Sequence, residues 1–73
     1  MRVLIINDDV NTMPVVAHAL MAVCGASGAQ AWEWTQHVHL TGHAEVANAL
    51  DPDAAEAVAL RLLRYGVRAM VLP

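Results

Sequence analysis

Four short polar side chains lie within five residues near the start of the chain, in the segment Asn7-Asp8-Asp9-Val10-Asn11. Asn and Asp side chains hydrogen-bond their own backbone in turns, so a structural turn is one explanation of this composition. The other explanation is a binding site for a charged donor. Carboxylates and carboxamide oxygens accept hydrogen bonds from an ammonium group, and such charge-assisted bonds are stronger than neutral ones. The local sequence leaves both explanations open.

The histidines His37, His39 and His43 form the second group of residues with chemical potential. Neutral imidazole is a good zinc ligand. However, His37 and His39 are two positions apart on a predicted helix and point to different sides. No cysteine or nearby carboxylate completes a tetrahedral set, so separate histidines are favoured over a metal site. His39 lies at the predicted end of its helix, where it can cap carbonyls or offer a ring nitrogen to a ligand.

The sequence contains no residue in the context of a catalytic nucleophile. Cys24 falls within an apolar helical stripe, which is typical of a small core residue. No Ser lies in a nucleophile motif, and no Gly-rich loop joins a strand to a helix. We therefore expect neither enzymatic activity nor a bound cofactor or metal.

The composition restricts the class of protein further. The 73 residues hold one domain, and an apolar fraction of 58% predicts a packed fold. The net charge is −3, and the 4 basic residues are all Arg. This balance disfavours nucleic acid and suits a cationic partner. A single Cys, apolar stretches too short for a bilayer, and the lack of a signal-peptide pattern predict a cytoplasmic protein away from membranes.

Six secondary-structure elements are needed to position these side chains. The predicted elements are a strand at Arg2–Ile6, a helix between Thr12 and Gly25, a helix at Ala29–His39, a strand at His43–Leu50, a helix between Asp51 and Gly66, and a strand at Val67–Leu72. Thr12, Ser27 and Asp51 are suitable N-caps for the three helices. The order β-α-α-β-α-β predicts an α+β domain of two layers, a three-stranded antiparallel sheet packed against three helices.

Apolar residues recur at helical spacing in each predicted helix, which predicts a buried stripe on each one. The predicted buried residues are Met13, Val16, Ala17, Leu20, Val23 and Cys24 in the first helix, Ala31, Trp34, Thr35 and Val38 in the second, and Ala55, Val58, Ala59, Leu62 and Leu63 in the third. Trp32 and Trp34 are two positions apart, so we expect one in the core and the other exposed.

Together these motifs resemble the ClpS adaptors, bacterial proteins that recognise N-terminal degradation signals (N-degrons) for an ATP-dependent Clp protease. The matching text is Leu4-Ile5-Ile6-Asn7-Asp8-Asp9, then Met13, then Val38-His39-Leu40-Thr41-Gly42. The resemblance runs along nearly the whole chain. It implies a single adaptor core domain over residues 1–73. The N-terminal extension that family members use during hand-over is not expected here, because the predicted first strand begins at Arg2.

The resemblance also implies a role for each matching side chain. Asn7, Asp8 and His39 are implied to hold the α-amino group of the substrate. Asp9 and Asn11, the latter at a position where the family often has Thr, are implied to contact the first peptide unit. An apolar pocket for the first side chain is implied, lined by Met13, Val16, Thr35 and Val38.

The partners implied by the resemblance are proteins beginning with Leu, Phe, Tyr or Trp and the N-terminal domain of a Clp AAA+ unfoldase. The unfoldase would dock near Asp53 and Glu56, although a Lys usually found nearby is missing at Ala57 and Val58. Thr35 stands where the family usually has a large Met. We therefore expect a wider, more polar pocket rim that discriminates less against bulky or β-branched first residues.

Other functions remain compatible with the residues alone. The same small α/β fold occurs in the C-terminal domain of the ribosomal stalk protein, so a protein-interaction module without N-terminus recognition is one alternative. A degenerate adaptor with another ligand or none is a second. A metal-binding or enzymatic domain built on the histidines is a third.

Overall fold

A computed structural model describes residues 1–8 and 10–73 of the chain. Asp9, for which a peptide contact is predicted, lies outside the described residues. The elements are β1 (Arg2–Ile6), α1 (Met13–Cys24), α2 (Gly28–Thr41), β2 (His43–Ala47), α3 (Pro52–Arg64) and β3 (Ala69–Leu72). Their order confirms the predicted β-α-α-β-α-β arrangement.

The described strands form one sheet in the order β2-β1-β3, and β1 pairs antiparallel with both neighbours. Alternate residues of β1 face opposite sides of this sheet. Val3 and Ile5 are fully buried in the core, whereas Leu4 and Ile6 are partly exposed. The helices cover the side with Val3 and Ile5, which confirms the predicted two-layer α+β architecture.

Each helix begins at the capping residue predicted from the sequence. The side chains of Thr12, Ser27 and Asp51 each accept a hydrogen bond from the backbone N–H three residues further on. These bonds satisfy one of the free donors at each helix start. Of the described helices, none is both long enough and apolar enough to cross a membrane.

Helix α2 extends beyond the predicted Ala29–His39, because it begins at Gly28 and ends at Thr41. Gly42 ends the helix with a left-handed φ of 96°, and its N–H donates to the carbonyl of Val38 at 2.8 Å. A residue with a side chain rarely adopts this φ, so Gly sets the end point. His39 consequently lies in the last turn of α2.

The core contains many alanines and a few larger side chains. Val3, Ile5, Leu20 and Leu62 are the largest side chains that are fully buried. The buried helix residues are Ala17, Ala19, Leu20, Val23, Ala31, Thr35, Val38, Ala55, Ala59 and Leu62. The small side chains let the helices approach the sheet closely, and this brings the loop after β1 next to α2.

Of the predicted buried residues, some are only partly buried: Met13, Val16, Cys24, Trp34 and Val58. Leu63 is 48% exposed, so its predicted burial is wrong. Leu62 occupies the core position, and the next residue of a helix is rotated by about 100° away from it. Of the tryptophans, Trp34 packs against the core while Trp32 is 41% exposed, which agrees with the prediction of one on each side.

Two strands are shorter than predicted. β2 ends at Ala47 rather than Leu50, because Ala49 adopts a left-handed φ of 57° and the chain turns there. β3 begins at Ala69 rather than Val67, although Val67 is only 2% exposed. Burial at Val67 therefore comes from packing against the core and not from strand pairing.

Candidate functional site

The loop that follows β1 is held against the end of α2. The backbone N–H of Asn7 donates to the carbonyl of Gly42 at 2.8 Å. The backbone N–H of Ile6 donates to the carbonyl of Arg68 at 2.9 Å. Asn7 therefore lies beside the turn that closes α2, although 35 positions separate it from Gly42 in the sequence. This contact brings the loop and the last turn of α2 to the same edge of the domain.

The Asp8 carboxylate organises the first part of this loop. Its Oδ1 accepts hydrogen bonds from the backbone N–H groups of Val10 and Asn11, both at 3.0 Å. The Asn11 backbone bond is the largest of the effects that lower the pKa of Asp8, and partial burial opposes it. The loop is thus a turn of the kind its composition predicts, and the carboxyl that builds it stays negatively charged.

Asn11 connects Asp8 to the end of α3. Its side-chain Nδ2 donates to both carboxylate oxygens of Asp8 at 3.3 Å, and also to the carbonyl of Gly66. An amide nitrogen carries two N–H groups, so these acceptors use its donor capacity. The Asn11 side-chain nitrogen is therefore engaged by acceptors of the chain itself.

A cavity of about 280 Å³ lies between this loop, the start of α1 and the end of α2. We call it the α1–α2 cavity. It is lined by Asn7, Asp8, Asn11, Thr12, Met13, Val16, Thr35, Val38 and His39. The described residues predicted to contact the amino group, the peptide unit and the first side chain all line it. Pockets that hold drug-sized ligands have volumes of about 300 Å³ or more. This cavity is slightly smaller than that, so it suits a smaller group, such as one amino acid.

The lining of the α1–α2 cavity is polar where it is exposed and apolar where it is buried. Asn7 and Asp8 are partly exposed and His39 is exposed. In contrast, Thr35 is 3% and Val38 4% exposed, so these two lie deepest. Among the described lining residues Asp8 carries a negative charge and none is Lys or Arg. The cavity therefore suits a small ligand with a cationic end and an apolar body.

Thr35 adds less polarity to the cavity than its residue type predicts. Its hydroxyl donates to the carbonyl of Ala31, one turn earlier in α2, at 2.7 Å. The hydroxyl proton is therefore engaged within the helix and is not available to a ligand. Of the polarity predicted for Thr35, only the acceptor capacity of its oxygen remains. What remains of the sequence prediction is the shape of Thr35, which is short and branched.

Thr12 is the lining residue that the sequence analysis missed. Its side-chain oxygen caps α1 by accepting from the Val15 N–H at 3.4 Å, and the residue also lines the cavity. Its position between Asn11 and Met13, which were both predicted to line the site, was the signal available for finding it. Thr12 therefore both caps α1 and lines the cavity.

Several residues considered from the sequence lie elsewhere. Asp53 and Glu56 are exposed near the start of α3 and do not line the α1–α2 cavity. His37 borders a separate groove of about 240 Å³ together with Glu33 and Glu45. Within the described part of the chain, no three His, Cys, Asp or Glu side chains are grouped to hold a metal ion. Burial raises the pKa of the Cys24 thiol, which makes it a poorer nucleophile.

Comparisons with known proteins agree with this architecture. Residues 1–68 match the sequence profile of the family described as ATP-dependent Clp protease adaptor protein ClpS. The chain is also similar to the structure of Agrobacterium tumefaciens ClpS2 bound to L-phenylalaninamide. The TM-score is 0.86 and the identity 23%, over 94% of this chain and 92% of that one. This likeness shows a shared fold.

No curated protein matches the chain by sequence. The family assignment therefore rests on the profile match, which spans all but the last few residues and agrees with the resemblance carried by the Asn-Asp-Asp and Val-His motifs. The chain belongs to the ClpS family, whose members are adaptors of the ATP-dependent Clp protease.

Proposed function

We propose that this protein binds the free α-amino group and the apolar first side chain of N-degron proteins and delivers them to a Clp-type AAA+ protease. The observation that carries this proposal is the α1–α2 cavity. It joins a negatively charged, acceptor-rich edge at Asn7 and Asp8 to a buried apolar end at Val38, in a volume that fits one residue. The first residue of a polypeptide has this pairing of charge and apolar surface.

The polar edge is suited to an ammonium group. An α-ammonium has three N–H donors and one positive charge. The Asn7 carboxamide oxygen, the Asp8 carboxylate and a neutral nitrogen of His39 are three acceptors from the lining of one cavity. Asp8 keeps its charge because neighbouring N–H groups lower its pKa. We assign these three residues to the α-amino group.

The first side chain is assigned to the part of the cavity lined by Met13, Val16, Thr35 and Val38. Burying a large apolar side chain there would contribute about 1.5–3 kcal/mol. Agrobacterium ClpS2 was solved with L-phenylalaninamide, which carries a free amino group and an aromatic side chain. We propose that this protein binds first residues that also have a large apolar side chain, namely Leu, Phe, Tyr and Trp.

The first peptide unit is assigned to Asn11 and, by family resemblance alone, to Asp9. Because the Nδ2 group of Asn11 donates to Asp8 and Gly66, we assign its Oδ1, to which no described residue donates, to the substrate. This oxygen would accept the N–H of the second residue. Asn11 would therefore contact the peptide unit only as an acceptor, since it has no side-chain donor left for a peptide carbonyl.

Binding is tested by titrating the isotopically labelled protein with phenylalaninamide and with its N-acetyl derivative, followed by NMR. We expect phenylalaninamide to shift the signals of residues lining the cavity and the acetylated compound to leave them in place. Asn7→Ala and His39→Ala should weaken the effect. His37→Ala is the matched control, because His37 is also an exposed histidine of α2 but does not line this cavity. Equal shifts with both compounds would contradict the proposal.

Delivery is assigned to a separate surface, the exposed acidic start of α3 at Asp53 and Glu56. Reversing both charges to Lys should leave peptide affinity unchanged and abolish the acceleration of Clp-dependent degradation of a reporter that begins with Phe. Glu33→Lys, an exposed acid on α2, is the control. If the double reversal leaves degradation intact, the unfoldase docks elsewhere. If the wild-type protein never accelerates degradation, delivery is refuted while binding still stands.

A further inference from the structure

The side-chain amide of Asn11 is held between two parts of the chain that are far apart in sequence. On one side its Nδ2 lies 3.3 Å from both oxygens of the Asp8 carboxylate. On the other side the same nitrogen donates to the carbonyl of Gly66, 55 positions further along the chain. The amide thus joins the loop after β1 to the turn that follows α3.

Gly66 is shaped for this contact. Its φ of 83° is left-handed, a conformation that L side chains rarely adopt. A Cβ at this residue would lie 3.4 Å from Oδ1 and 3.7 Å from Nδ2 of Asn11. A substitution here would therefore strain the backbone beside the carbonyl that accepts from the Asn11 amide, and its Cβ would lie in van der Waals contact with that amide. In contrast, a Cβ at Gly25, which has a similar φ of 67°, would meet nothing within 4 Å.

Among the described residues, the outer side of the Asp8 carboxylate is held by the Asn11 side chain, while Arg68 acts on it through its positive charge. Oδ1 is fixed by the backbone N–H groups of Val10 and Asn11, whereas the hydrogen bond recorded for Oδ2 among the described residues comes from the Asn11 side chain. Without that donor the carboxylate could rotate about the bond that joins it to Cβ. A rotated carboxylate would present its charge to the cavity in a different direction.

We infer that Asn11 and Gly66 are positioning residues, which fix the orientation of the Asp8 carboxylate toward the ammonium group of the ligand and tie the binding loop to the end of α3. This inference rests on the proposed function for its effect on binding. The claim that Asn11 and Gly66 fix the Asp8 carboxylate concerns contacts within the chain and does not depend on a ligand.

The test uses Asn11→Ala and Asn11→Leu, the second of which fills similar space without donating, together with Gly66→Ala and the control Gly25→Ala. Two quantities are measured in each variant. One is the pKa of the Asp8 carboxyl, from its carbon NMR shift. The other is the affinity for a Phe-initiated peptide with a free or an acetylated N-terminus. Thermal unfolding confirms that each variant is folded.

We expect the Asn11 variants and Gly66→Ala to raise the measured pKa of Asp8, because the side-chain donor is lost or displaced. We also expect about a tenfold loss of affinity for the free-amino peptide, comparable to one hydrogen bond to a charged group. Affinity for the acetylated peptide should fall less in the Asn11 variants, where it loses only the proposed contact between Asn11 and the N–H of the second residue. It should not change in Gly66→Ala, since only the ammonium depends on the direction of the carboxylate. Gly25→Ala should match the wild type in both measurements.

Two outcomes would overturn the inference. One is an Asp8 pKa that is unchanged in Asn11→Ala and Asn11→Leu. The other is an equal loss of affinity for both peptides, which would indicate general damage to the cavity. If the wild-type protein shows no preference for the free amino group, the proposed function fails. In that case the Asp8 titration alone still decides whether Asn11 and Gly66 hold the carboxylate.

Discussion

The size of the side chain at residue 35 should decide which first residues the protein accepts. Thr35 is 3% exposed, lines the α1–α2 cavity and donates its hydroxyl proton to the carbonyl of Ala31. A longer side chain at so buried a residue has no free space except the cavity itself. The substitution Thr35→Met should therefore narrow the cavity from its deep end.

The magnitude follows from the cost of overpacking. The cavity of about 280 Å³ is about the size of one residue. Forcing extra atoms into a filled apolar space costs about 1–3 kcal/mol, which corresponds to about 5- to 150-fold in affinity. The loss should be largest for a peptide that begins with Ile, because its branch lies at Cβ, and smaller for Leu, whose branch lies one carbon further out.

The assay is calorimetry with peptides that differ only in the first residue. The wild-type protein should bind the Ile and Leu peptides with similar affinity, and Thr35→Met should reject Ile within the range above. Thr35→Val is the matched control. It keeps the branched shape and removes only a hydroxyl whose proton is used within α2, so it should retain the wild-type preference. If the wild-type protein already rejects Ile as strongly as Thr35→Met does, the reasoning about residue 35 is refuted.

Two further predictions concern pH and stability. Because the folded pKa of Asp8 is lowered from 3.8, its contribution to stability is present above that value and lost as the pH falls through the lower folded value. In urea unfolding, Asp8→Asn should therefore lose less free energy of unfolding on acidification than the wild-type protein does. The same pH dependence in both proteins would contradict this role of Asp8. Leu62→Ala, at a fully buried residue, should lower the free energy of unfolding by about 2–5 kcal/mol. Leu60→Ala, at a residue that is 53% exposed, should change it by less than about 0.5 kcal/mol, and similar denaturation midpoints for the two would refute the placement of the core.

The grouping of Asn7, Asp8 and His39 around one cavity could be predicted from the sequence. A polar run directly after a buried strand predicts a loop at Asn7 and Asp8, and a Gly shortly after His39 predicts that α2 ends nearby. The order of elements then brings both to one edge of the sheet. The hydrogen bond from Asn7 to Gly42 is the contact that joins them.

The parts that the sequence did not predict depend on long-range geometry. The bond from Asn11 to Gly66 joins residues 55 positions apart, and no periodicity in either segment indicates it. The burial of the Thr35 proton depends on a rotamer, which residue type does not fix. Leu63 fits the same apolar stripe as Leu62, and only the packing of α3 on the sheet decides which of them is buried.

The central claim is that the polar edge of the α1–α2 cavity holds an α-ammonium group, and a double-mutant cycle tests it most directly. The affinities of a Phe-initiated peptide with a free and with an acetylated N-terminus are measured in the wild-type protein and in His39→Ala. We predict that acetylation weakens wild-type binding by about tenfold or more, since it removes the charge and two donors, and that its effect is much smaller in His39→Ala. Equal affinity of the wild-type protein for the two peptides, or an acetylation effect that is the same in both proteins, would contradict the claim.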